Sequence, residues 1–381
     1  MKTSAIRSLF LEHREPQLSH RYITNNHILP LLEKLDAKFK IEVIGTSVLN
    51  DSIYGVKFGK GEKRILMWSQ MHGNESTTTK AIFDLFNTFT SENSEINKIL
   101  EICTIYVIPI LNPDGAKAYT RINANEVDLN RDAQLRSQPE SKVLRAVFEA
   151  FSPHFCYNLH GQRTIFSAGK TNKPATVSFL SPAQDAACTV TTNRKISMEI
   201  IGVMNAALQE LIPNQVGVYD DAFNLNCVGD TFQSENVPTI LFEAGHFPDD
   251  YARDKTREYI YTSMLVSLFY IVNNAIDGGK YESYLTIPEN DKCFYDIIIR
   301  NAKVENQLVD IAILYKEKLV GNDIAFCPVI EKIETLKGFY GHQEIDANGA
   351  EVLVENSQAL HIGSENDFVF IEKTKKSLLL K

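Results

Sequence analysis

From about Ile41 to Ala275 the sequence alternates short, β-rich apolar runs with longer stretches of helical periodicity. This alternation restricts the fold to an α/β sheet clad by helices on both faces, since each strand returns through a helix that packs back on the sheet. The extended runs are "IEVIGTSV", "SIYGVKFG", "RILMWS", "TIYVIPI", "FCYNLH" and "PTILFEA". Helical spacing is clearest over 76–90, 141–151, 193–211 and 249–274. Only "LND" separates the first two runs, which predicts a hairpin leading into a mixed, mostly parallel sheet.

Around "DGGKYESYLTIPEND" the pattern changes. Short extended runs follow, among them "CFYDIIIR", "VDIAILY", "AEVLVEN" and "DFVFIEK", with turn residues between them. They predict a small β-rich C-terminal domain over 285–381, after a large domain over 1–280. With 381 residues, 44% of them hydrophobic, the chain can bury a core of that size. A net charge of -9 and the lack of a long Lys/Arg block argue against a nucleic-acid partner. No run approaches the roughly 20 apolar residues of a membrane span, and the N-terminal apolar piece is soon interrupted by charge. The expectation is a soluble, cytoplasmic protein with no membrane partner. The cysteines, Cys103, Cys156, Cys188, Cys227, Cys293 and Cys327, show no CxxC pairing and are read as reduced.

Chemistry collects at the ends of the apolar runs. "RILMWSQM" leads into His72 and Glu75, "TIYVIPIL" into the stretch 112–115, "FCYNL" into His160, and "PTILF" into Glu243. In open α/β sheets that edge binds ligands, because parallel strands deliver their following loops there. A single His-x-x-Glu is weak evidence alone. His160, which ends a buried run, adds a third donor, and two histidines with one glutamate form a ligand set of catalytic zinc type with a fourth position open. A hydrogen-bonded core histidine is the competing reading of His160, and a strand-end salt bridge that of Glu243.

In order, "HGNE", "NPDG", "VDLNR", "NLH" and "TILFE" resemble the zinc carboxypeptidases of the carboxypeptidase A class, over roughly Ile41 to Ala275. The resemblance implies one zinc ion per chain held by His72, Glu75 and His160, with Glu243 as the catalytic carboxylate. It implies that Arg121 stabilises the oxyanion, that Asn130 and Arg131 grip a substrate carboxylate, and that Tyr219 is the family's mobile tyrosine. Asp128 resembles the acid that orients His72, with an Asx turn as the alternative. The substrate implied is a small peptide or an acyl amino acid.

The stretch "FEAGHF", the compact interval between His160 and Glu243 and the following β-rich domain are similar instead to the succinylglutamate desuccinylase and aspartoacylase branch. Against that branch, "NPDGAKAYTRINANEVDLNR" resembles the peptidase side, so the expected function is a zinc-dependent metallopeptidase cleaving a terminal amide bond, with a zinc-dependent N-acyl amino acid amidohydrolase and a metal-binding module without catalysis as the alternatives. The presence of Glu243, Arg121 and Arg131 disfavours the last. His246 reads as a packing residue, Arg163 as a solvated arginine or a second contact for an acidic substrate, and Asp230 as a residue of the specificity pocket. The oligomeric state is not legible.

Overall fold

Alternate residues of a strand face opposite sides of its sheet, and the strand Lys63–Ser69 shows the result: Ile65 and Met67 join one apolar cluster, Leu66 and Trp68 another. A sheet buried on both faces in this way needs helices on each. The computed structural model describes residues 1–354 and 360–380. The chain divides into two compact units, Met1–Gln162 with Ala175–Asn290, and Arg163–Pro174 with Asp291–Lys381.

The first unit carries a sheet of eight strands among the described residues: β1 (Lys40–Thr46), β2 (Ser52–Gly59), β3 (Lys63–Ser69), β4 (Cys103–Ile108), β5 (Phe155–Gly161), β6 (Val177–Leu180), β7 (Val216–Val218) and β8 (Thr239–Ala244), in the order β1-β2-β4-β3-β5-β8-β6-β7. The expected hairpin is β1–β2, antiparallel and broken by a register shift between Val43 and Gly45. The centre, β4-β3-β5-β8, is parallel throughout. β2 joins β4, and β6 joins β8, in antiparallel fashion, so the sheet is mixed as expected. The pattern did not disclose β6 and β7, because runs of four and three residues are too short to show alternation.

One face of the sheet packs against α1 (Thr3–His13), α2 (Asn25–Leu32), α3 (Thr77–Phe89), α4 (Ser94–Ile102), α7 (Thr192–Gln209) and α9 (Asp254–Asn273), whose buried residues share a cluster with Ile65 and Met67. The other face packs against α6 (Pro139–Phe151) and α8 (Val228–Ser234), where the Phe148 and Phe232 rings stack at 3.8 Å. The short α5 (Pro113–Ala118) follows β4.

A buried ion pair crosses the first face. Arg257 of α9 donates to both oxygens of Asp84 on α3, with Nε–Oδ2 at 2.6 Å, and to the Glu15 carbonyl at 2.9 Å. Both side chains are fully buried. Removing one partner leaves the other charge without compensation, which typically costs about 3–5 kcal/mol. Asp84→Ala is therefore expected to lower unfolding free energy by that amount in urea titration. A loss below about 1 kcal/mol would show that the pair is not an energetic tie.

The second unit is built on a four-stranded sheet, ordered Asp323–Glu334, Gln307–Val320, Phe294–Val304 and Tyr340–Asp346, the last pairing parallel and the others antiparallel. Its core includes Ile297, Ile299, Ile311 and Ile313, alternate residues of two neighbouring strands. A three-stranded sheet of Val352–Leu353, Phe368–Ile371 and Thr374–Ser377 completes the expected β-rich part. Of the predicted run "AEVLVEN", Glu355 and Asn356 lie outside the described residues. Arg163–Pro174 belongs to this unit through internal bonds such as Phe294 N–H to the Ile165 carbonyl at 3.1 Å and His342 Nε2 to the Thr164 carbonyl at 2.8 Å.

Candidate active site

β3 ends at Ser69, and the chain turns sharply into α3. Gln70 adopts φ of 45°, a left-handed conformation that costs energy for a residue with a Cβ. Its buried amide compensates by donating to the carbonyls of Ile23 (3.1 Å) and Gly73 (2.8 Å) and by accepting from Thr79 Oγ1 (2.7 Å). Gly73 is required by packing, since a Cβ there would lie 2.0 Å from the Gly115 carbonyl carbon. Asn112 caps α5 through Gly115 N–H at 2.9 Å and donates to the Met71 carbonyl at 3.2 Å. The motif "NPDG" thus braces the backbone that presents His72. Glu75 stands one residue before the Ser76 cap of α3, so the helix begins just after the proposed ligand rather than at it.

The turn brings His72 and Glu75 against His160 at the end of β5. His72 Nδ1 lies 2.9 Å from Glu75 Oε1, His160 Nδ1 lies 3.0 Å from Glu75 Oε2, and the two Nδ1 atoms are 3.0 Å apart. His72 and His160 are buried, and Gly161 N–H donates to Glu75 Oε2 at 2.9 Å. On the far side of the His72 ring, Nε2 meets Asp128 Oδ1 at 3.0 Å. This contact fixes the proton on Nε2 and leaves the Nδ1 lone pair facing the other two donors. A carboxylate and two imidazole nitrogens converging in this way need a proton or a cation among them, and the donor set suits a divalent metal with imidazole and carboxylate ligands. Burial alone would raise the Glu75 carboxyl, but His72 and His160 outweigh it and hold the carboxyl well below the usual range. Burial also lowers the His160 pKa, favouring the neutral imidazole that ligation requires.

Glu243 is directly opposite His160 in the parallel β5–β8 register. Its Oε2 is buried with no hydrogen-bond partner among the described residues. Burial, then the neighbouring Glu75 charge, pushes its carboxyl well above the usual range. Arg121 reaches the same region, with Nε 3.1 Å from Asp128 Oδ2 and a terminal nitrogen 3.3 Å from Glu75 Oε1. Asp128 also caps the turn Leu129–Arg131 by accepting from Asn130 N–H at 2.9 Å, so its cap and orienting readings both hold geometrically.

Asn130 Oδ1 accepts from Val228 N–H at the start of α8 (3.0 Å), and the exposed Arg131 contacts Cys227 Sγ at 3.2 Å. Neither belongs to the His–Glu–His cluster. Tyr219 follows β7 and is acted on first by burial, then by the charges of Glu243 and Glu75, all of which raise its pKa. Asp230 lies on α8, where burial raises its carboxyl to about 6. His246 is buried against the Tyr251 ring at 4.7 Å. Arg163 falls in the second unit. Gln70 and the contact of Cys227 with Arg131 were missed in the sequence. Only Gln70 had a signal, being a polar residue directly after a continuous apolar run.

This is an α/β fold of carboxypeptidase type with a His–Glu–His cluster at the ends of its central strands. Residues 28–171 match the model of the zinc carboxypeptidase family, Peptidase_M14. Carboxypeptidase 2 of Trichophyton rubrum is 29% identical over 114 residues, which make up 29% of this chain and 20% of that protein. The matched stretch therefore spans about a fifth of the curated relative's length. Two solved structures share the fold. A metallo-carboxypeptidase from Burkholderia cenocepacia has a TM-score of 0.51 at 16% identity, covering 64% of this chain and 66% of that one. Carboxypeptidase A from Helicoverpa armigera has a TM-score of 0.51 at 14% identity, covering 69% and 78%.

Proposed function

We propose that the protein is a zinc-dependent, carboxypeptidase-like hydrolase that cleaves the terminal amide bond of a small peptide bearing a free carboxylate. The observation that supports this most is the meeting of His72 Nδ1, His160 Nδ1 and the Glu75 carboxylate within 3.0 Å, with Glu243 in register beside His160. These three residues would hold one metal ion. Bound there, it supplies Lewis acidity toward a carbonyl oxygen and acidifies a water.

The chain's own groups do the rest. Glu243 takes a proton from the attacking water and returns it to the leaving nitrogen, a task suited to a carboxyl that burial makes more basic than usual. Arg121 faces the carbonyl oxygen as negative charge develops. Arg131, with its planar fork, and Asn130, whose Oδ1 is engaged by Val228 so that its amide nitrogen is the end left to donate, bind the substrate carboxylate. Tyr219 contacts the substrate beside Glu243.

Zinc-loaded protein incubated with N-blocked dipeptides, γ-linked peptides and N-acyl amino acids tests this reading. Release of the C-terminal residue from peptides is the expected result. Turnover of N-acyl amino acids alone would transfer the site to the amidohydrolase reading. On a peptide substrate, Arg131→Ala should raise KM by about tenfold or more with a smaller effect on kcat, because the fork meets a charge already present in the ground state. An unchanged KM would remove Arg131 from the carboxylate grip.

A further inference from the structure

The β5–β8 ladder that sets His160 opposite Glu243 runs a little further and then closes on a side chain. Past the pairs His160–Glu243 and Gly161–Ala244, Gln162 N–H donates to the Ala244 carbonyl at 3.0 Å. The same carbonyl accepts from Arg253 Nη1 at 2.9 Å, and the Gln162 carbonyl accepts from Arg253 Nη2 at 3.0 Å. One planar guanidinium thus spans a carbonyl from each chain segment, just beyond the proposed ligand and the proposed base. A point donor such as an ammonium lacks the fork that makes this double contact.

Backbone strain accompanies the placement. Arg253 is buried and adopts φ of 60°, a left-handed conformation that glycine or asparagine accepts more readily. Such a conformation persists only where the surroundings impose it. Asp250 imposes it from one side, accepting from the N–H groups of Asp254, Lys255 and Thr256 at 2.8, 2.8 and 2.9 Å, while its carbonyl accepts from Arg253 N–H at 3.0 Å. From the other side, the buried Lys80 of α3 donates to the Ala252 carbonyl at 2.8 Å and to Asp254 Oδ1 at 3.0 Å. Thr256 Oγ1 donates to the Gly245 carbonyl at 3.1 Å and ties the start of α9 to the chain leaving β8. The start of a helix does not call for an arginine at its left-handed position; the two carbonyls do.

We propose that Arg253 is a positioning residue whose fork clamps the ends of β5 and β8 and so holds the Glu243 carboxylate in place relative to the three metal donors. This inference rests on the reading of His160 as a ligand and Glu243 as the base. Loosening the strand ends shifts the base from the water it deprotonates, and a misplacement near 1 Å can cost about a hundredfold in rate. On the same reading Asn130 and Arg131 grip the substrate, so the effect should fall on kcat rather than on KM.

The test combines kinetics with amide hydrogen exchange on metal-loaded protein, using a pooled panel of N-blocked dipeptides and N-acyl amino acids. Metal content and thermal melting are measured on the same samples. Well below its melting temperature, Arg253→Gln should lower kcat at least about tenfold, with KM within about twofold and metal content unchanged. The Gln162 amide, donor of the last rung, should exchange at least about tenfold faster. Arg253→Lys restores the charge and one donor, and should recover part of kcat while staying about threefold or more below wild type. In the Glu243→Gln background, Arg253→Gln should lower kcat by less than about twofold, because the misplaced group is no longer a base. Should Arg253→Gln not fold, Arg253→Lys enters the same cycle, with its loss expected against wild type and absent against Glu243→Gln. A lowered melting temperature with unchanged kcat, an unchanged Gln162 exchange rate, loss of the metal, or an equal kcat loss in both backgrounds overturns the inference and leaves the hydrolase reading standing. Normal kcat in Glu243→Gln, or a metal-loaded wild-type protein that cleaves no member of the panel, overturns that reading and the inference with it.

Discussion

Glu243→Gln will lower kcat by at least about a hundredfold while the protein keeps its metal and its fold, since positioned acid–base groups contribute roughly 10²- to 10⁴-fold. The substitution preserves size and hydrogen-bonding capacity and removes only the basic oxygen. It spares the cluster, because Glu243 makes none of the short contacts among His72, Glu75 and His160. A buried oxygen without a hydrogen-bond partner among the described residues and a carboxyl raised well above its usual range fit a group held for a proton rather than for an ion pair. Steady-state kinetics on one panel substrate, with metal measured on the same preparation, decides the matter. Near-normal kcat with metal bound would dismiss Glu243 as the base.

His160→Ala should abolish metal retention, taking zinc from about one per chain to under about a tenth after dialysis, because a three-ligand site seldom survives the loss of one donor. His72→Ala should behave alike. His160 is the cleaner probe: His72 is also bound to Asp128, so its removal disturbs the Arg121 and Asn130 contacts at the same time. Metal analysis reads the result without any substrate. Stoichiometric zinc in the His160→Ala protein would refute the ligand assignment.

The strands of the central sheet were legible because they are short, mainly apolar runs that end in a polar residue, as "RILMW" and "PTILF" show. The same runs located His72, His160 and Glu243. Contacts made at long range were not legible. Nothing in "PEND" says that Asn290 meets Ser178 and Gln162, because that meeting depends on Gly217 leaving space and on two short strands hidden from any periodicity. Arg163–Pro174 likewise joins the second unit through pairing with residues more than a hundred positions away. The motif "NPDG" was visible as a motif, yet its use as a brace for the Met71 carbonyl required the fold.

The placement of His160 opposite Glu243 has a bearing on how such a protein can diversify. Adjacent strands stand about 4.8 Å apart whatever loops connect them, so the distance between the proposed ligand His160 and the proposed base Glu243 is written into the backbone ladder. Loops within 162–238 can be lengthened or shortened without moving that pair, provided β6 stays paired with β8.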